Sequence, residues 1–246
     1  MSHQLSAMSH EPRTKIKAII FDFDGVIIES ADIKTEAFRQ LFSQYPDKVE
    51  EIVAYHKQNM GISRYVKFHY FYENILGKEL SREMEVELGK RFSQLVLKQI
   101  LKAPLVAGAK EFLSNNKDRY LFFIASGTPE DELHYIVTQR RLTKYFKGIY
   151  GTPRKKSEII EDIMEKNRLS RNEVVYVGDA QSDQDAAEKA GVPFIARTSR
   201  RTGKLANCSY YMKDLHSLGE VVEMLSCRLR LGQAHCSGPD GRSHKL

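Results

Sequence analysis

"KAIIFDFDGVIIES" (residues 17–30) joins an unbroken apolar, β-branched run to two carboxylates one residue apart, Asp22 and Asp24, with Gly25 behind them. The run at 16–21 reads as a strand buried on both faces. Like charges that close repel, so the fold must gain something by ending the strand in both. Beyond it the periodicity changes. From about residue 29 to 103, apolar residues recur at helical spacing: Ile33, Ala37 and Leu41 with Phe38 and Phe42, then Tyr65, Phe68, Phe71, Tyr72, Ile75 and Leu76. Another helix is expected from Ser81, an N-cap with Glu83 and Glu85 in the first turn, towards Leu101.

After "APLVAG" (residues 103–108) strands and helices alternate. "RYLFFIAS" (119–126) reads as a strand, and "TPEDELHYIVTQ" opens a helix with Thr128 as N-cap and Pro129 in the first position. "GIY" (148–150), "EVVYVGD" (173–179), "PFIA" (193–196) and "SYYM" (209–212) read as further strands, separated by "KSEIIEDIMEKN" and "DQDAAEKAG" as helices. "DLHSLGEVVEML" closes the series as a helix. Repeated β-α units predict an α/β fold with a doubly wound, Rossmann-type parallel sheet. The expected core takes residues 14–28 and 104–225, with an inserted α-helical cap at 29–103. Residues 226–246, Gly/Ser/His-rich without period, are expected to be a mobile tail.

Composition excludes several classes. Of the net charge of +6, the stretch 16–225 carries only +2, which is a mixed surface and not a basic stripe for nucleic acid. No apolar run approaches the roughly 18–20 residues of a membrane span, and the polar N-terminal stretch lacks the apolar centre of a secretory signal. Three cysteines at no metal-like spacing indicate neither a disulfide framework nor a zinc site. A cytoplasmic protein is expected, acting on a small molecule, with no nucleic-acid or membrane partner; oligomeric state leaves no trace in the sequence.

Ligands of such sheets bind beyond the carboxyl ends of the strands. Those ends carry Asp22-Phe23-Asp24-Gly25, Ser126-Gly127-Thr128 and Gly178-Asp179, with Asp183 four residues on; Lys155 and Lys156 open a helix in between. Carboxylates clustered without His or Cys suit a hard, oxygen-seeking cation, Mg²⁺, which relieves their repulsion and can bind a phosphate oxygen. One carboxylate can act as nucleophile and a second, two residues on, as acid and then base. Gly25 lets the chain turn away. A hydroxyl, backbone N–H groups and a lysine can hold phosphoryl oxygens.

"DFDGV", "SGT", a lysine after "GTP" and "GDAQSD" resemble, in order, the four motifs of the haloacid dehalogenase (HAD) superfamily, and the resemblance spans residues 16–225 with the cap in its expected place. It implies that Asp22 is the nucleophile and Asp24 the general acid/base. Ser126, Gly127 and Lys156 (favoured over Lys155 by the family's phasing) would bind the phosphoryl group. Asp22, Asp179 and the Asp24 backbone carbonyl would hold Mg²⁺, with Asp183 behind them or ligating directly. Dehalogenating relatives lack the second aspartate, so Asp24 points to phosphoryl transfer. The start of the chain is similar to phosphoglycolate phosphatases, with Lys34 where a histidine is more usual. "GISR" (61–64) resembles the specificity loop of β-phosphoglucomutases, which makes Arg64, with Lys34, a candidate reader of a second substrate anion. Gly178 stands where mutases carry a glutamate. A phosphatase of a small phosphorylated metabolite working through an aspartyl-phosphate is therefore expected, with a phosphosugar mutase as the alternative and a non-catalytic binding protein as a remote third.

Overall fold

The run that opens the sequence is buried because it is the middle of a sheet. The computed structural model describes residues 16–198, 205 and 208–231. Its six strands are β1 (Ala18–Phe21), β2 (Leu121–Pro129), β3 (Gly148–Thr152), β4 (Val174–Gly178), β5 (Phe194–Arg197) and β6 (Tyr211–Met212). All pair in parallel, in the order β3-β2-β1-β4-β5-β6. The chain order reverses beside β1, which creates the crevice where doubly wound sheets bind ligands. Phe21 lies opposite Ile124 of β2 and Val177 of β4. The three strands therefore run out at one level, and the residues after them share a rim.

Side-chain alternation splits the core in two. Ile19 and Phe21 pack with Phe112 of α5 (Ala109–Asn116), Leu133 of α6 (Glu130–Gln139) and Val222 of α9 (Leu218–Leu231). Ala18 and Ile20 pack with Ile159 of α7 (Lys156–Asn167) and Ala187 of α8 (Gln181–Ala190) on the other face.

Between β1 and β2 stand α1 (Ala31–Leu41), α2 (Val49–Gln58), α3 (Arg64–Tyr70) and α4 (Arg82–Ile100). The stretch Phe71–Leu76 prolongs α3 as a π-helical turn. The aromatic spacing noted in the sequence becomes their shared core: Phe38 lies 4.6 Å from Phe92 and 5.6 Å from Phe71, ring centre to ring centre. Ser81 caps α4 as expected, accepting the Met84 N–H at 3.2 Å.

Some expectations need correction. Thr128 is not a helix cap: β2 continues through it to Pro129, and α6 starts at Glu130. Helix α9 carries on through residues 226–231, which the expected tail had included; residues 232–246 lie outside the described residues, as do 14 and 15. "SYYM" pairs only over Tyr211–Met212. Helix α5 was not foreseen: eight residues hold too few turns to show a period, with only Ala109, Phe112 and Leu113 buried. Among the described residues, no helix is long and apolar enough to cross a membrane.

The inserted helices are fastened to the sheet at both ends. On the return side, Arg140, just after α6, donates to the carbonyls of Ile100, Leu101 and Ala103 at 3.1, 3.0 and 2.5 Å. These carbonyls lie at and just beyond the end of α4, where Ile100 also accepts the Ala103 N–H at 3.3 Å, and a cation there suits the helix dipole. Arg140→Ala should cost about 2 kcal/mol and lower the melting temperature by about 4–8 °C. An unchanged melt would mean that other groups hold that end of α4.

Candidate active site

Asp22 continues β1 by one residue: its N–H donates to the Val177 carbonyl at 2.9 Å, which fixes its side chain at the rim. The carboxylate is buried. Oδ1 accepts the Phe23 N–H at 2.8 Å, and Oδ2 lies 3.2 Å from the Lys156 ammonium. After it the chain folds back on itself, with the N–H groups of Ile27 and Ile28 both reaching the Phe23 carbonyl. Gly25 makes that turn with φ +75°, and a Cβ there would stand 2.0 Å from Asp179 Oδ2. Glycine is needed twice over, for its backbone and for the space it leaves to the neighbouring carboxylate.

Asp24 has different company. Its Oδ1 accepts from Ser30 Oγ at 2.6 Å, and Oδ2 accepts from Lys34 Nζ at 2.5 Å and Thr128 Oγ1 at 2.8 Å, with Ser126 Oγ 3.5 Å away. Burial works against its charge, but Lys34 and these hydroxyls outweigh it and bring the carboxyl down to about 2. For Asp22 the balance reverses. Burial pushes it up, Lys156 opposes, and the repulsion of Asp183 and Asp24 leaves it at about 7.

Lys156, not Lys155, enters the site. Its Nζ donates to Asp183 Oδ1 at 2.6 Å and sits against Asp22, while Lys155 stands outside as the N-cap of α7. Burial disfavours the ammonium, yet Asp183 and Asp22 raise its pKa above the ordinary lysine value. Asp183 is fully occupied: Oδ2 accepts the N–H groups of Asp179 and Ala180 at 3.2 and 3.0 Å, and the Tyr176 hydroxyl lies 3.2 Å from Oδ1. Asp179 is the opposite case. Its side chain receives no hydrogen bond from the described residues, and burial, then Asp22 and Asp183, push its pKa well up. Oxygens of Asp22, Asp179 and Asp183 lie within 4.8 Å of one another. A half-buried carboxylate without a hydrogen-bond partner, beside two buried ones and with no soft ligand among them, fits a hard divalent cation.

Ser126 is buried, its Oγ accepting the Thr128 N–H at 3.2 Å. Gly127 is needed for space alone: a Cβ would stand 2.7 Å from the carbonyl oxygen of Gly61, in the loop between α2 and α3. The next residue of the sheet side, Ser182, donates its hydroxyl to the Met60 carbonyl at 3.0 Å. The inserted helices thus lie directly over the rim. Asp22, Asp24, Lys34, Arg64, Ser126 and Gly127 enclose with them a cavity of about 50 Å³.

Of the residues singled out in the sequence, Asp22, Asp24, Ser126, Gly127, Lys34 and Arg64 line this cavity, and Lys156, Asp179 and Asp183 cluster about Asp22. Lys34 reaches across to Asp24 and Thr128. Arg64 is buried, with both terminal nitrogens on Glu132 at 2.7 and 3.0 Å and one also on Ser93 Oγ at 2.8 Å. The sequence does not single out Glu132, and it reads Thr128 as a cap. The signal for Thr128 was its spacing: it repeats the two-residue step of Asp22 and Asp24 along an extended end. His56 and Lys67, which also line the cavity, went unnoticed among aromatic neighbours.

Residues 19–197 match the family model of the haloacid dehalogenase-like hydrolases. A curated relative from Thermotoga maritima, a phosphorylated carbohydrates phosphatase, is 24% identical over 185 residues, 73% of this chain and 84% of its own. A crystal structure described as a predicted phosphoglycolate phosphatase, from Haemophilus somnus, superposes with a TM-score of 0.68 at 17% identity, over 84% of this chain and 97% of its own. A β-phosphoglucomutase from Clostridium difficile does so with a TM-score of 0.68 at 18% identity, over 87% of this chain and all 100% of its own. At such identities the two structures speak for the fold, whereas the family model covers the strand ends and the helices inserted between them. The chain belongs to the haloacid dehalogenase-like hydrolases.

Proposed function

We propose that the chain is a Mg²⁺-dependent phosphatase that hydrolyses a small phosphorylated metabolite through an aspartyl-phosphate at Asp22. The observation that carries this is the contrast between two carboxylates one residue apart: Asp22 packed against Lys156 beside a partnerless Asp179, and Asp24 held by Lys34, Thr128 and Ser30. Environments that drive two neighbouring acids apart assign them different tasks. The relative that acts on phosphorylated carbohydrates supports the same chemistry.

Bound at Asp22, Asp179 and the Asp24 backbone carbonyl, Mg²⁺ would supply the positive charge that keeps the cluster ionised and offsets the phosphoryl oxygens. Asp183 holds Lys156 and the turn after β4 in place from behind. A carboxylate oxygen of Asp22 attacks phosphorus, and the bond to the alcohol oxygen breaks. Asp24 gives that oxygen a proton. As the structure stands Lys34 keeps Asp24 ionised, so this step requires the bound substrate to draw that ammonium off Asp24 and let its pKa rise. Ser126, Gly127 and Lys156 hold the phosphoryl oxygens. Asp24, now a carboxylate, takes a proton from water, whose oxygen attacks phosphorus, freeing phosphate and Asp22.

Closure over the rim keeps other water out. Arg64 and Glu132 join the inserted helices to α6 by a two-pronged ion pair, and we assign it the part of a latch.

Asp22→Asn should abolish phosphate release from a panel of small phosphomonoesters, and Asp24→Asn should lower it by about 10²–10⁴. Isomerisation of a hexose 1-phosphate in the presence of its bisphosphate, with no release from the panel, would favour the mutase instead. Metal dependence has a sign that can be checked without turnover. Between about pH 4 and 7 the folded chain keeps a proton on Asp22 that the unfolded chain has lost, so without metal its contribution to stability falls as pH rises through that window. Mg²⁺ favours the deprotonated cluster and should raise the melting temperature more near pH 8 than near pH 5; an equal shift at both would count against this site. For the latch, Arg64→Ala and Glu132→Gln should each raise KM about tenfold or more by breaking a buried pair. If Arg64 instead reads the substrate, Glu132→Gln would release it and lower KM.

A further inference from the structure

Three cations of the inserted helices line the cavity, and two of them have carboxylate partners: Lys34 pairs with Asp24 and Arg64 with Glu132. Lys67, on α3, is the third. It is 2% exposed, and no carboxylate among the described residues lies within ion-pair distance of its ammonium. Its polar contact is His56 Nδ1, on α2, at 2.9 Å; the Phe38 ring lies 5.5 Å away. An ammonium carries three donors and no acceptor, so two of its N–H bonds are left over. Its sequence neighbours one helical turn away, Ser63, Arg64, Tyr70 and Phe71, offer no acid either.

His56 completes the anomaly. As an ammonium Lys67 only donates; Nδ1 then accepts, and the neutral ring carries its proton on Nε2. That N–H is buried and has no partner among the described residues. Burial, reinforced by Lys67, holds the imidazole far below its usual range, at about 3, so it brings no second charge. Burial, with Lys34 and Lys156 nearby, also lowers Lys67, to about 7, against a weaker pull from Asp24. A buried ammonium with no carboxylate in contact costs a fold stability. Here the cost falls at a wall of the cavity that holds Asp22 and Asp24.

We propose that Lys67, positioned by His56, is the subsite for a second anionic group of the substrate, a carboxylate or second phosphate placed a few atoms from the phosphoryl group that Asp22 attacks. This deepens the phosphatase assignment and rests on it for the first of the two anions. The size of the cavity keeps the linker short, and Phe38, Phe92 and Ile62 give it apolar walls. An anionic oxygen accepting from Nζ supplies the missing counter-charge. A phosphomonoester of a neutral alcohol leaves Lys67 as it stands, so the pocket selects by the charge at the far end.

Calorimetric binding of non-hydrolysable probes tests this without turnover. Phosphonoacetate adds a carboxylate, and methylenebisphosphonate a second phosphonate, to the single anion of methylphosphonate. The wild-type protein with Mg²⁺ should bind one of the two doubly anionic probes at least about tenfold more tightly than methylphosphonate. That preference should shrink to about threefold or less in Lys67→Met and survive in Lys67→Arg. His56→Leu should erode it, and His56→Gln, which keeps an acceptor, should restore it. The better probe identifies the second group as carboxylate or phosphate. Equal binding of all three by wild type, or a preference untouched in Lys67→Met, overturns the proposal, and the wild-type comparison decides even if the Met variant does not fold. A preference that depends on Lys67 in a protein without phosphatase activity would sink the phosphatase assignment and leave the subsite. Turnover without any preference would do the reverse.

Discussion

The crowding of negative charge at the end of β1 governs the rest of the molecule. Asp22, Asp179 and Asp183 come within 4.8 Å of one another because β1 is flanked in register by β4, and only one of them, Asp183, has its oxygens fully satisfied by protein. Lys156 offsets part of the repulsion from below, and glycine at 25 leaves Asp179 its room. An arrangement so costly to a bare fold makes sense if a cation and a phosphoryl group complete it. Its cost is also what separates the two acids of the turn. Asp22 lies inside the crowd, and Asp24 leans away from it into donors supplied by α1, the loop before it and β2.

The elements that carry the chemistry were legible from the sequence because their signals are local. An apolar run ending in carboxylates, a strand ending in Ser-Gly-Thr, and a Gly-Asp with an acid four residues later each announce a strand end, and the parallel ladder then aligns them. Lys156 could be chosen over Lys155 by phasing for a related reason: the first turn of α7 turns one of the pair inward and the other out. Helix α5 escaped because its buried face is only three residues. The role of Thr128 escaped because proline behind it suits a helix start as well as an extended strand.

The partners that span the two layers were not legible, because nothing in the spacing of Arg64 and Glu132, 68 residues apart, marks them as a pair. Arg64 looked available to a ligand when read alone. In the fold its charge is already answered from α6 and its planar face lies 4.5 Å over the Phe92 ring. Lys67 shows the converse. A lysine within an aromatic helix reads as a solvated position, and only the packing of α2 against it reveals an ammonium sealed in with an imidazole.

Beside the Lys34–Asp24 and Arg64–Glu132 pairs, part of the seam between the inserted helices and the sheet is built from main chain on the helical side. Gly127 abuts the Gly61 carbonyl oxygen, and Ser182 bonds to that of Met60. Carbonyls are the same whatever side chain they belong to, so this part of the closing geometry asks for no particular side chain along the loop except at Gly61, where φ is +75° and a Cβ would stand 2.4 Å from Ser182 Oγ. Side chains a few positions away can then be exchanged over generations without loosening the fit of lid to rim. A lineage built this way can change the loop side chains that face a substrate while the reacting carboxylates at the strand ends stay where they were.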